Sequence, residues 1–149
     1  MMDLKLSIPL DDDGFIEMEC DFCKNRFMIH ESVFQDEAYL HFFCPICGLP
    51  ARTNSIYTEE VLDAAERMVA NYALDEVERQ FGPLMKQINR SGFLKMEMKV
   101  PKREPAKELY TPTTEYKSIR QSCCGVSIKI SEFDAEVGMY CPICGGAKL

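Results

Sequence analysis

The residues most able to do chemistry are eight cysteines, and they fall into two groups of four. The first group is Cys20-Asp-Phe-Cys23 with Cys44-Pro-Ile-Cys47, with 20 residues between the pairs. The second is the adjacent Cys123 and Cys124 with Cys141-Pro-Ile-Cys144, with 16 residues between. Two CxxC pairs at this separation form the donor set that encloses Zn²⁺ in a tetrahedron of thiolates. The expected cofactors are therefore two Zn²⁺ ions. Cys20, Cys23, Cys44 and Cys47 hold one; Cys123, Cys124, Cys141 and Cys144 hold the other. Four thiolates leave no position for a reacting water, so such sites are structural.

The second group departs from the pattern. Aligning Cys124 with Cys23 puts Gln121 where the first group has Cys20. Cys123 is then expected to supply the fourth thiolate from a contracted turn, bent at Gly125. Ligation by three cysteines with a spare thiol, or a site without metal, are the alternatives. His30 and His41 are expected to be surface or strand-packing residues, because the four nearby cysteines already complete a site. CPIC also occurs in thiol–disulfide oxidoreductases, where its first cysteine opens a helix. Here each CPIC follows a strand pattern and precedes a glycine, which favours metal. A redox-sensitive zinc/thiol switch stays open as an alternative function.

The elements that position the first cysteines are strands. Phe15 to Glu19 alternates apolar and acidic residues, Phe27 to His30 follows the first pair, and Tyr39 to Phe43 leads into Cys44. Pro45 and Gly48 suit the tight turn that points thiolates and backbone N–H groups at a metal. From Phe15 to Pro50 the chain resembles a zinc ribbon. That resemblance is to a widespread fold superfamily and implies no particular activity. Strands at 116–121 and 126–130, with 135–140 leading into Cys141, read as a second, shorter ribbon.

Between the two clusters Thr58 reads as an N-cap, and apolar residues recur at helical spacing from Val61 to Phe81. A helix is expected over 59–81, ended or kinked at Gly82-Pro83, with a further turn or two stopping near Ser91-Gly92. Its apolar stripe is expected to pack on the ribbons, to dock with a partner, or to form a homodimer. It lacks the strict heptads of a coiled coil. Residues 93–100 alternate as a half-buried strand, and the segment from Pro101 to Pro112 reads as an extended connector. The fold class is therefore α+β, a small zinc-stabilised protein with two β zinc ribbons joined by a long helix, a strand and a Pro-rich connector. The expected division is 1–56, 57–100, 101–115 and 116–149.

The chain has 149 residues and a formal charge of −7. Two loaded four-thiolate sites would take it to about −11. Residues 1–80 hold 6 Lys and Arg against 17 Asp and Glu, whereas 81–149 hold 11 against 7. The acidic run Asp11 to Asp13 reads as a solvated turn. With no signal-peptide pattern and no membrane-length apolar run, an intracellular, cytoplasmic protein without membrane contact is expected. No phosphate-binding loop, GxSxG or HExxH is present, so no enzyme is expected. The function expected is a non-catalytic zinc-binding interaction module, an adaptor or accessory subunit of a larger complex. The alternative is a nucleic-acid-binding protein that uses the basic 86–107 tract, with Lys95, Lys99, Lys102, Arg103 and Lys107 on phosphates.

Overall fold

The chain places its aliphatic residues so that four strands share one apolar row. A computed structural model describes residues 3–39, 41–52, 56–111 and 115–148. The strands are β1 (Phe15–Glu19), β2 (Arg26–His30), β5 (Lys117–Arg120) and β6 (Ser127–Ile130). They form an antiparallel sheet in the order β1-β2-β6-β5. Ile16 pairs with Ile29, Ile29 with Ile128, and Ile128 with Ile119. Side chains alternate between the faces of a strand, so this row of isoleucines lies on one face. There it joins Met18, Phe27 and Ile130 in the core. The neighbouring row, Glu17, Met28, Lys129 and Ser118, lies on the other face.

Two short hairpins complete this part of the chain: β3 (His41–Phe43) with β4 (Pro50–Arg52), and β7 (Met139–Tyr140) with β8 (Ala147–Lys148). Helix α1 (Glu31–Phe34) joins β2 to the first hairpin, and α3 (Glu132–Val137) joins β6 to the second. Each follows a side-chain N-cap. His30 accepts from the Ser32 N–H, and the Ser131 hydroxyl accepts from the Asp134 N–H. The strand expected to run from residue 135 into Cys141 is thus helical up to Val137. Ser131 and the acidic first turn, Glu132 and Asp134, favour a helix start over a strand. Of the strand expected over 39–43, Tyr39 lies outside β3 and Leu40 outside the described residues.

The two repeats are related by an approximate two-fold operation. Offsetting the first by 101 residues brings β1, β2 and the start of α1 onto β5, β6 and the start of α3. Offsetting by 97 brings β3 and Cys44 onto β7 and Cys141. The pair Met28–Lys129 is its own counterpart, so the pseudo-axis passes beside it. Two further hydrogen bonds obey the same operation. Phe43 N–H donates to the Pro142 carbonyl and Tyr140 N–H to the Pro45 carbonyl, both at 2.8 Å. Accordingly Ser7–Val61 and Leu109–Leu149 form one unit of the structure.

The second unit comprises Met1–Leu6 and Leu62–Glu108. Most of it is helix α2, which starts at Glu59 in the first unit and runs to Arg90. The helix expected to break or kink at Gly82-Pro83 is continuous through Pro83. Residues 93–100, expected as a strand, have no strand partner among the described residues and run along the helix instead. The Asn89 amide grips Met96 at both its N–H (2.9 Å) and its carbonyl (3.0 Å). Arg103 bonds Asp75 and Glu78, and Asn71 donates to the Glu104 carbonyl at 2.8 Å. These contacts hold the helix on both sides of Pro83, which offsets the hydrogen bond that proline cannot donate. Period-2 alternation fits any extended chain; a strand also needs a neighbour with free backbone groups. Part of the expected connector, 112–114, lies outside the described residues.

Candidate metal centres

Four turns carry the cysteines, and all four have the same backbone. In the first, Cys20 N–H donates to the Asn25 carbonyl (3.0 Å) and Lys24 N–H to the Cys20 carbonyl (2.9 Å). Cys44 and Cys141 make the equivalent bonds with Leu49 and Gly48, and with Gly146 and Gly145. In the remaining turn Gln121 N–H donates to Val126 (2.7 Å) and Gly125 N–H to Gln121 (2.8 Å). The fifth residue of each turn has positive φ: Lys24 59°, Gly48 74°, Gly125 69° and Gly145 70°. The turn before β6 is therefore not contracted. It has the common shape with a different residue in first position. Gln121 occupies the place of Cys20, Cys124 that of Cys23, and Cys123 stands in the third position of the turn.

The sulfurs converge. In each group of four the sulfurs all lie within 4.8 Å of one another. Cys20 lies 3.7 Å from Cys47, Cys23 3.7 Å from Cys44, and Cys123 3.6 Å from Cys144. A disulfide would need about 2.05 Å. A tetrahedron of metal–sulfur bonds of about 2.3 Å has edges of about 3.8 Å, which is the separation observed. Each group can hold one metal ion, and the arrangement is consistent with zinc-ribbon-like sites.

The first cluster has N–H groups aimed at its sulfurs. Phe22 N–H lies 3.4 Å from Cys20 Sγ, and the N–H groups of Ile46 and Cys47 lie 3.4 and 3.5 Å from Cys44 Sγ. Burial works against ionisation of Cys20, but the N–H groups of Cys23 and Phe22 outweigh it and hold the thiol below its ordinary value. At Cys44 burial dominates and pushes the thiol up. A bound cation reverses that cost, because it neutralises the buried thiolate. In the second cluster the Gly146 N–H, followed by the thiols of Cys123 and Cys141, brings Cys144 down to about 7. Gln121 is 1 % exposed, and its amide N–H₂ lies 3.4 Å from the Met139 sulfur. It fills the buried first position without offering a thiolate.

The histidines do not join either cluster. His30 caps α1 and meets the Phe15 ring edge-on at 5.2 Å, while His41 is exposed. The acidic run is more than a solvated turn. Lys129 lies 2.5 Å from Asp11 and 2.7 Å from Asp13, with its ammonium 4.6 Å above the Phe15 ring. Among the basic residues proposed for phosphate contact, Arg103 pairs with Asp75 and Glu78 of α2. Lys95, Lys99, Lys102 and Lys107 are exposed.

Sequence reasoning missed the residues that join the repeats. A Cβ on Gly48 would lie 3.0 Å from the Tyr140 ring, and one on Gly145 2.9 Å from the Phe43 ring. Each repeat thus lays the aromatic residue before its CPIC over the glycine after the other's CPIC. The signal was present as Phe43-Cys-Pro-Ile-Cys-Gly48 and Tyr140-Cys-Pro-Ile-Cys-Gly145, two copies of one pattern. No described helix is long and apolar enough to cross a membrane. No protein-family model, curated protein or solved structure matches the chain.

Proposed function

We propose that the protein is a non-catalytic zinc-binding interaction module, an accessory subunit that docks on a larger protein partner. The observation that carries this reading is the closure of both cysteine groups: four sulfurs at the edge length of a zinc tetrahedron leave no place for a reacting water. Zinc fits better than harder ions because every donor is a thiolate sulfur. A protein partner is supported by the helical unit, where Ala64 is the only fully buried residue among those described. Val69, Phe81, Leu84, Phe93 and Leu94 are between 49 and 97 % exposed. Phe81 and Leu84 stand three residues apart on α2, and Phe93 and Leu94 are adjacent; exposed apolar side chains grouped in this way suit a contact surface.

Metal analysis of the purified protein tests the first half, with two zinc ions per chain expected. Affinity purification with and without nuclease tests the second. A stoichiometric protein partner that survives nuclease and is lost in Phe81→Asp/Leu84→Asp supports the reading. A protein recovered only with nucleic acid, and lost on neutralising Lys99 and Lys102, supports the alternative of direct nucleic-acid binding through the 86–107 tract.

A further inference from the structure

The two clusters present different sulfur pairs to an oxidant. In the first, Cys20 lies 3.7 Å from Cys47 and Cys23 3.7 Å from Cys44. Each of these pairs contains one core cysteine, Cys20 at 1 % exposure or Cys44 at 2 %. The N–H group of Phe22 is aimed at the Cys20 sulfur, and those of Ile46 and Cys47 at the Cys44 sulfur. A disulfide needs its sulfurs about 2.05 Å apart, so pairing here would shift a buried side chain within a packed interior.

In the second cluster Cys123 and Cys144 lie 3.6 Å apart, and both are exposed. Cys123 stands in the third position of its turn, because Gln121 fills the buried first position. Cys144 lies in the turn between β7 and β8, strands of two residues each. Closing the remaining gap of roughly 1.5 Å moves solvent-facing sulfurs and leaves the core in place. The other two thiols are less suited. Cys141 is buried, and Cys124 is joined to Cys123 by a planar peptide bond that strains a disulfide between neighbours.

We propose that Cys123 and Cys144 are a site of oxidative modification: a peroxide, acting as a two-electron oxidant, joins them in a disulfide and so opens the second metal centre while the first stays intact. One thiolate attacks a peroxide oxygen; an S–O bond forms, the O–O bond breaks and hydroxide leaves. The other thiolate attacks that sulfur; the S–S bond forms, the S–O bond breaks and a second hydroxide leaves. Two protons convert the hydroxides to water. The thiolate pair has lost two electrons, and one hydrogen peroxide has become two waters. Cys124 and Cys141 then remain as two donors where four enclosed an ion, too few to retain it. This goes beyond the interaction-module reading and rests on its metal half alone, and then only for the release of metal.

The test treats the full metal-loaded chain with hydrogen peroxide in the presence of a chromogenic chelator. One metal ion is expected to leave at least about tenfold faster than the other, and faster than without peroxide. Cooperative unfolding by circular dichroism is expected to persist after that first ion has gone. Peptide mapping at that point, with free thiols blocked, is expected to find Cys123 joined to Cys144 and to find Cys20, Cys23, Cys44 and Cys47 still as thiols. Dithiothreitol and added zinc are expected to restore the lost ion. Release that peroxide does not accelerate, oxidation of both clusters at one rate, or a disulfide between other cysteines overturns the proposal. So does oxidation that dithiothreitol does not reverse. A chain that carries fewer than two metal ions before peroxide is added fails the zinc reading, and the mapped pairing still decides this one.

Discussion

In the first cluster Cys20 and Cys44 are buried and Cys23 and Cys47 half-buried, whereas in the second only Cys141 is buried and Cys123, Cys124 and Cys144 are exposed. The turns are the same in both, so backbone geometry does not explain the difference. Two things do. The first cluster sits within the main core, to which Cys20 and Cys44 belong and against which Cys23 and Cys47 pack. The second has Gln121 in the buried first position and takes its extra thiol from the exposed third position. A ligand set can therefore be preserved in number while its protection from solvent is lost. The first cluster is built into the core, and the second, with three of its four thiols exposed, is expected to release a bound metal more readily.

The largest expected effect separates the two clusters outright. Cys44→Ser should remove metal from the core cluster and abolish cooperative unfolding by circular dichroism. Structural zinc contributes about 10–16 kcal/mol in small domains, and this cluster is continuous with the core. Cys144→Ser should lose one metal equivalent and keep a cooperative transition. Equal collapse of both variants would break the contrast.

The glycines test the likeness rather than the difference. Gly48→Ala and Gly145→Ala each force a Cβ into an aromatic ring and into positive φ. Each should destabilise by about 1–3 kcal/mol in denaturant titration, and by similar amounts. A large loss at one position and none at the other would mean that the two-fold exchange of Phe43 and Tyr140 is not what holds the repeats.

Metal release sharpens the contrast kinetically. A chromogenic chelator should draw out metal in two phases, with the second cluster faster by at least about tenfold, or about 1.4 kcal/mol of barrier. Gln121→Cys combined with Cys123→Ser rebuilds a CxxC in the common turn and should bring the fast phase toward the slow one. If release stays fast, exposure of the hairpin around Cys144 sets the rate, not the ligand position.

The smallest effect lies at the pseudo-axis, where Met28 faces Lys129. Burial opposes ionisation of Asp11, but Lys129 and the N–H groups of Phe15 and Asp13 hold its carboxyl below the usual 3.8. A lowered folded value means a contribution that is fully present above the unfolded value and lost as pH falls through the folded one. Lys129→Met should therefore cost up to about 1 kcal/mol at neutral pH, and the difference from the parent should shrink only below about pH 4. Metal loss in acid would mask this, so the comparison is made by denaturant titration with metal content checked at each pH.

Much of the local structure was legible in the chain. Alternation marked β1, and short strand-like runs flanking the cysteine turns marked β2, β5 and β6, because a strand's side-chain pattern is set within a few residues. CPIC with a following glycine marked two of the four turns, and the alignment of Gln121 with Cys20 was readable from spacing, although the turn that carries Gln121 was expected to be contracted and is not. The reading failed where a neighbour decides the outcome. Residues 93–100 alternate like a strand, but Asn89 supplies the hydrogen bonds that a partner strand would have supplied. Pro83 reads as a helix end, and contacts from Met96, Arg103 and Glu104 hold the helix on either side of it. The acidic residues at 11 and 13 looked solvated because their partner, Lys129, lies more than 115 residues along the chain.

The amino-acid sequence by itself determined the two cysteine sets, the CPIC turns and the strands β1, β2, β5 and β6 around the cysteines. All of these are set by residue types within a few positions of one another. Tertiary structure alone decided that the repeats share one sheet, with Ile29 against Ile128 and Phe43 and Tyr140 exchanged over Gly145 and Gly48. It also decided that one edge of that sheet is closed by the chain and the other ends at β5. The physical reason is that burial and pairing depend on which surfaces meet, and residues a hundred positions apart do not reveal their meeting by local pattern.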